Sequence, residues 1–204
     1  MKAVIFDMYG VILKAPEGDL IPFIRKYFPE LTDDCINDLW KEAACGRKTS
    51  YEFFREVGFK GEIQEIEKEY LETIQIDDNF LYAAKCLKRD YKLILLSNDL
   101  SEWSAYLREK FGLNELFDKI IISGDFGILK PDNRLFNMIL DGLHQPASEC
   151  CYIDDREKNL KAAALLGMQV ILFNRRNVTF DGNIIYDFKE LEELITLTFE
   201  SDYS

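Results

Sequence analysis

Histidine is almost missing from this sequence: 204 residues contain one, His144. The five cysteines, Cys35, Cys45, Cys86, Cys150 and Cys151, are odd in number and form no CxxC pair. None lies near enough to histidine in sequence for a zinc site, so they read as reduced core or surface thiols. Basic residues are also short, 25 against 37 acidic ones, for a formal net charge of -12. That balance argues against general affinity for nucleic acid or an acidic membrane, while leaving room for a local cationic pocket. No uninterrupted apolar run approaches the ~20 residues that cross a bilayer. No cationic, apolar leader opens the chain, so the expected location is cytoplasmic. The length suits one α/β domain with a sizeable insertion, or two small domains, and monomer and homodimer both stay open.

What is present begins with Lys2-Ala3-Val4-Ile5-Phe6-Asp7-Met8-Tyr9-Gly10-Val11-Ile12. An apolar run of this kind reads as a strand buried on both faces, as in the middle of a parallel sheet. Such a strand has no structural use for a carboxylate, yet Asp7 stands at its carboxyl end. Gly10 follows, where the backbone can turn tightly or approach a ligand. In open parallel sheets that edge is where ligands bind, which makes Asp7 a candidate nucleophile.

After Ile12 the pattern turns helical, with segments expected at about Leu20 to Phe28, Thr32 to Ala44, Ser50 to Val57, Glu62 to Ile74 and Asp78 to Lys88. Thr32 and Thr49 suit N-caps, and Thr49-Ser50-Tyr51-Glu52 has capping-box spacing. Roughly seventy residues of helix exceed the dozen or so a simple crossover needs. The division expected is a helical cap at 15–80 inserted into an α/β core formed by 1–14 and 81–204, with the helix around Phe80 to Leu87 returning to the core. Strands at Lys92 to Leu96, Lys119 to Ile122, Cys150 to Ile153 and Gln169 to Phe173 then alternate with helices at Ser101 to Lys110, Asp132 to Leu143 and Glu157 to Leu166. A short strand is expected at Ile184-Ile185 and a helix from Phe188 to Leu197. Asp99 or Ser101 is expected to cap the helix at Ser101, and Ser123 to Pro131 to be loop. Such alternation predicts a Rossmann-like parallel sheet with helices on both faces.

The strand ends carry the chemistry. Asp7, Ser97-Asn98 and Asp154-Asp155 each close an apolar strand, and in a parallel sheet those ends share one edge. Singly, each reads as a helix cap. Together, clustered carboxylates repel unless protonated or bridged by a cation, and hard oxygen ligands suit Mg²⁺. Lys130, before Pro131 at an expected helix start, reads either as a solvated loop cation or as a fixed ammonium that holds an anionic substrate.

The order and spacing resemble the haloacid dehalogenase superfamily. Phe6-Asp7-Met8-Tyr9-Gly10-Val11 resembles its first motif and Leu95-Leu96-Ser97-Asn98 its second. Lys130-Pro131 resembles its third, and Ile153-Asp154-Asp155 with Asn159 and Gly167-Met168 its fourth. Gly46-Arg47-Lys48-Thr49 with Glu52-Phe53-Phe54 is similar to a stretch of the family's helical caps. The resemblance implies a covalent intermediate on Asp7, a small anionic, phosphorylated substrate held by Ser97, Asn98 and Lys130, and Mg²⁺ held by Asp7, the Tyr9 carbonyl, Asp155 and nearby Asp154. Arg47 is a candidate to reach the substrate from the cap, with a surface charge as the plainer reading.

One position departs from the pattern. Phosphatases of the family carry a second aspartate two residues after the nucleophile, as acid and base; here it is Tyr9. A phenol with a reference pKa of ~10 donates a hydrogen bond but is a poor general base near neutral pH. Tyrosine there, with Leu-Ser-Asn as second motif, is similar to the family's metal-free 2-haloacid dehalogenases, whereas Asp154-Asp155 is similar to its metal-binding members. Three readings stay open: a Mg²⁺-dependent phosphatase, a dehalogenase-type hydrolase, and a weakly active or non-catalytic binding protein. His144 reads as a helix-end residue, Trp40, Trp103, Phe53 and Phe54 as packing, and Arg175-Arg176 as solvated charge or phosphate ligands.

Overall fold

The structure is a computed structural model that describes residues 2–14, 20–143 and 145–200; His144 lies outside them. In chain order the elements are β1 (Ala3–Phe6), β2 (Leu13–Lys14), α1 (Leu20–Tyr27), α2 (Asp33–Ala44), α3 (Ser50–Val57), α4 (Ile63–Thr73), β3 (Gln75–Ile76) and α5 (Phe80–Leu87). They continue with β4 (Lys92–Ser97), α6 (Ser101–Lys110), β5 (Lys119–Ile122), α7 (Ser123–Phe126), α8 (Asn133–Leu143), β6 (Cys150–Asp154), α9 (Glu157–Leu165), β7 (Gln169–Phe173), β8 (Asn183–Ile185) and α10 (Leu191–Glu200).

Six strands form one parallel sheet in the order β5-β4-β1-β6-β7-β8. The α/β expectation holds, and β1 lies between the two strands that carry the other acidic and polar ends. Its register pairs Phe6 with Leu95 on one side and Ile153 on the other, so the ends of β1, β4 and β6 run level. Alternation along the strands divides the core in two. Val4, Phe6, Leu95 and Ile153 pack with Phe80, Phe117 and Phe188 on one face; Ile5, Leu96 and Tyr152 pack with Phe136, Ile139 and Leu160 on the other. Apolar residues are therefore required at every position of these strands, because both faces are covered. Phe80, the first residue of α5, meets Phe6 edge-on at 5.6 Å.

Between β1 and α5 the chain makes four helices. Thr32 accepts from the Cys35 N–H, and Thr49 and Glu52 form a reciprocal capping box. These helices dock on α6 through aromatic rings: Trp103 lies 5.9, 5.7 and 5.0 Å from Phe53, Phe54 and Tyr70, and its indole N–H donates to Glu67. Gly46, at φ 66°, packs so tightly that a Cβ there would come 2.2 Å from the Gly124 carbonyl oxygen. Leu13–Lys14 and Gln75–Ile76 pair antiparallel, so the chain leaves for the helices and returns from them at adjacent points.

Four local expectations need correction. The β2–β3 pair is absent from the sequence reading, because two residues are too few to show periodicity. The expected loop from Ser123 contains α7. Helix α8 starts at Asn133, and Pro131, joined to Lys130 by a cis peptide bond, precedes the helix instead of opening it. Leu100 holds the cap position of α6, with Asp99 Oδ1 accepting the Leu100 N–H and Ser101 donating to Asp125.

Candidate active site

The carboxyl edge of the sheet gathers the charges. Asp7 follows β1, and its own N–H donates to the Ile153 carbonyl, which ties it to β6. Its Oδ1 accepts the Met8 N–H at 2.7 Å and pairs with Lys130 Nζ at 2.7 Å. Both bonds fall on one oxygen, leaving Oδ2 without a hydrogen bond.

Lys130 is no solvated loop cation: its side chain is 1% exposed. The ammonium meets Asp7, Asp154 Oδ2 at 3.1 Å, the Leu96 carbonyl at 2.9 Å and the Tyr152 hydroxyl at 3.0 Å. Burial works to discharge it, but the two aspartates outweigh that and hold its pKa above the usual lysine value. Asn98 explains how it is aimed. The Asn98 amide accepts the Lys130 N–H at 2.7 Å and donates to its carbonyl at 3.1 Å. Asn98 thus positions Lys130, and it also lines the cavity above Asp7.

The two adjacent aspartates differ in kind. Asp154 is fully buried and surrounded by donors: the Tyr152 hydroxyl, Asn159 Nδ2 at 3.1 and 2.9 Å, and the Arg156 N–H at 2.8 Å. Burial alone would raise its pKa; Lys130 and these donors reverse the sign and hold it low. Asp155 has one oxygen, Oδ1, buried with no hydrogen bond and only a long 3.9 Å ion pair to Arg156, while Oδ2 pairs with Arg176 at 3.2 Å. Burial, then Asp154, raises its pKa. For Asp7, burial and the two neighbouring aspartates prevail over Lys130 and push the carboxyl up to about 8.

An oxygen from each of Asp7, Asp154 and Asp155 lies within 4.8 Å of the others. An orphaned carboxylate oxygen beside two more acids is a donor set that fits a hard divalent cation, with Asp155 the freer ligand and Asp154 already satisfied. Gly10 makes room for it: at φ 81°, a Cβ there would fall 2.6 Å from Asp155 Cγ and Oδ2. Ser97 Oγ, at the end of β4, is fully buried and unpartnered, so its hydrogen-bonding capacity is unspent.

The sequence reading missed three features. Tyr9 donates its hydroxyl hydrogen to Asp99 Oδ2 at 3.3 Å, and burial, followed by Asp99, raises its pKa well above the ordinary phenol value. Asp99 is 1% exposed, with its carboxyl driven well above the usual range by burial; its sequence signal, an acid after Ser97-Asn98, was absorbed by the helix-cap reading. Arg175 donates to the Gly10 and Val11 carbonyls at 3.0 and 2.8 Å and to Asp77 at 2.7 Å, strapping the turn after β1 to the end of the helical segment. For Arg47 the plainer reading, a surface charge, is the one the structure favours. Its guanidinium is half exposed and bound through two hydrogen bonds to Glu42, and it does not line the site. The spacing of five lets Arg47 pair with Glu42 across the end of α2.

Above Asp7 and Lys130 lies a cavity of about 160 Å³, walled by Tyr9 and Asp99 from the core and by Ile36, Trp40 and Tyr70 from the helical segment. A parallel sheet that ends in a buried nucleophile candidate, an ammonium and paired acids, under a helical segment, defines a hydrolase-type α/β architecture. Comparison with protein families makes it specific: residues 1–167 match the haloacid dehalogenase-like hydrolases, and the chain belongs to that family.

Relatives include a drimenol cyclase of Aspergillus calidoustus, 24% identical over 87% of this chain. The chain spans only 35% of that protein's length. The D-ribitol-5-phosphate phosphatase of Bacteroides thetaiotaomicron is 23% identical, with 83% of this chain and 90% of its own covered. Among solved structures, a haloacid dehalogenase family enzyme from Bacteroides thetaiotaomicron superposes with a TM-score of 0.75 at 20% identity, over 84% of this chain and 93% of its own. Among the described residues no helix is long and apolar enough to cross a membrane.

Proposed function

We propose that the chain is a Mg²⁺-dependent phosphatase for a small phosphorylated metabolite, working through an aspartyl phosphate on Asp7. The observation that supports this best is the buried Lys130 ammonium, held between Asp7 and Asp154 beside an Asp155 oxygen that has no hydrogen bond. A carboxylate that attacks a phosphate dianion must overcome like-charge repulsion, and a fixed, desolvated cation at the point of attack reduces it.

Asp7 Oδ2 forms a bond to phosphorus as the bond to the leaving oxygen breaks, and the leaving group departs with the electron pair. Water then attacks phosphorus, the bond to Asp7 breaks, and carboxylate and inorganic phosphate are released. Lys130 and the Ser97 hydroxyl hold the phosphoryl oxygens. Asp7, the Tyr9 carbonyl and Asp155 would hold Mg²⁺, with Asp154 close behind. When bound, the ion supplies charge neutralisation at the phosphoryl group. Residues 15–80 act as the cap that excludes water, over a core of 1–14 and 81–204. All these groups come from one chain, so a monomer suffices and a homodimer is compatible.

The test is phosphate release from sugar, acyl and aryl phosphates with Mg²⁺ and with chelator. Turnover that stops on chelation supports the reading; no turnover anywhere, or indifference to chelator, refutes it. A second reading, C–halogen hydrolysis, is favoured by Tyr9 in place of an acid, since halide leaves without a proton. Its test is metal-independent halide release from 2-haloacids. The acidic cluster argues against it, because three carboxylates oppose an anionic haloacid.

A further inference from the structure

We propose that the leaving group this site is built for is a flat aromatic ring, that is, that the substrate is an aryl phosphate monoester; this rests on the phosphatase reading above. Two independent observations converge. The first is the wall of the cavity. From the helical segment it is lined by Ile36, Trp40 and Tyr70 with Asn37, and from the core by Tyr9, Trp103 and Asp99, with Arg156, Lys158 and Asn159 completing its polar side. Asp99 is already committed, Oδ1 to the Leu100 N–H at 2.9 Å and Oδ2 to the Tyr9 hydroxyl. The Asn98 amide is committed to Lys130. Hydroxyls of a sugar or polyol turned toward Ile36 and the rings would find few hydrogen-bond partners there. An aromatic ring meets rings instead.

The second observation concerns the proton. An alkoxide leaves poorly unless an acid protonates it, and the side chain two residues after Asp7 is a phenol whose hydrogen points to Asp99. A phenolate, with a conjugate acid near ~10, leaves without that help, whereas an alkoxide, nearer the ~15.7 of water, does not. The electron pair of the breaking bond stays on the phenol oxygen, which takes its proton from water at the cavity mouth.

The experiment is kcat/KM, with Mg²⁺, for a series of substituted phenyl phosphates of graded phenol pKa, beside glycerol 2-phosphate, ribose 5-phosphate and acetyl phosphate. The expected result is a steep rise as phenol pKa falls, and phenyl phosphate ahead of both alkyl esters by on the order of 10²-fold, as a missing acid predicts. Trp40→Ala should raise KM for phenyl phosphate about tenfold, and Trp40→Phe should restore it. Alkyl phosphates turned over as fast as aryl ones, or acetyl phosphate alone, would overturn the proposal while leaving the phosphatase reading intact. A shallow slope that becomes steep in Asp99→Asn would overturn it as well, by making Asp99 the acid. No release from any compound, acetyl phosphate included, would end both.

Discussion

Replacing Lys130 by methionine tests the electrostatic design of the site directly. The ammonium contacts Asp7 at 2.7 Å and Asp154 at 3.1 Å, with side chains 1%, 9% and 0% exposed. Methionine keeps the bulk and removes the charge, leaving carboxylates buried without their cation. Breaking a buried pair from one side costs about 3–5 kcal/mol, and that is the loss expected near pH ~8. The loss should shrink toward pH ~5, and the sign follows from linkage. Lys130 has a raised pKa, so its contribution is fully present below the unfolded lysine value and does not vary across this window. Asp154, held low by Lys130 and its donors in the wild type, loses its cation in the variant and its pKa rises. The folded variant then binds a proton that the unfolded chain releases, and its stability falls as pH rises. Near pH ~5 that proton is in place and what remains is lost hydrogen bonding, about 1–3 kcal/mol. Urea titrations of both proteins at the two pH values read the difference. An equal loss at both, or a larger one in acid, would refute the account.

Three further outcomes follow from the same contacts. Asp7→Asn should lower phosphate release by on the order of 10³ or more. Gly10→Ala places a methyl 2.6 Å from Asp155 at φ 81°, so calorimetry should show Mg²⁺ affinity weakened at least about tenfold and stability reduced by about 1–2 kcal/mol. In the wild type, Mg²⁺ uptake near pH ~7 should release close to ~1 proton, read by calorimetry in buffers of different ionisation heat, since the Asp7 and Asp155 carboxyls both lie above their ordinary range. Affinity that does not fall on acidification would contradict that coupling.

The central sheet was legible in the sequence because strands buried on both faces admit only apolar residues, and β5 and β7 begin and end where the runs do. Asp7 and the Asp154-Asp155 pair were legible because acids at the ends of such runs have no packing role. What stayed hidden depends on contacts between distant positions. Nothing local to Arg175 announces that it strands across to Gly10, 165 positions away. Nothing local to Asn98 says that both ends of its amide belong to Lys130. At Arg47 the sequence left a substrate contact and a surface charge both open, and only the pairing with Glu42 favours the second. Asp99 carried a visible signal, but a helix start offers an acid so ready an explanation that its link to Tyr9 needed coordinates to be seen.

The short β2–β3 ribbon has a consequence for engineering. Because Leu13–Lys14 runs antiparallel to Gln75–Ile76, the two chain crossings lie side by side, about 5 Å apart as in any strand pair. Helices α1 to α4 therefore lie between two neighbouring joints. A segment of different length, from a relative with another specificity, needs only to begin and end on that ribbon to be grafted, with Asp7, Lys130 and Asp155 left in place. Residues that reach across the joint, Arg175 to Asp77 and Gly46 to Gly124, mark where such a graft must be matched.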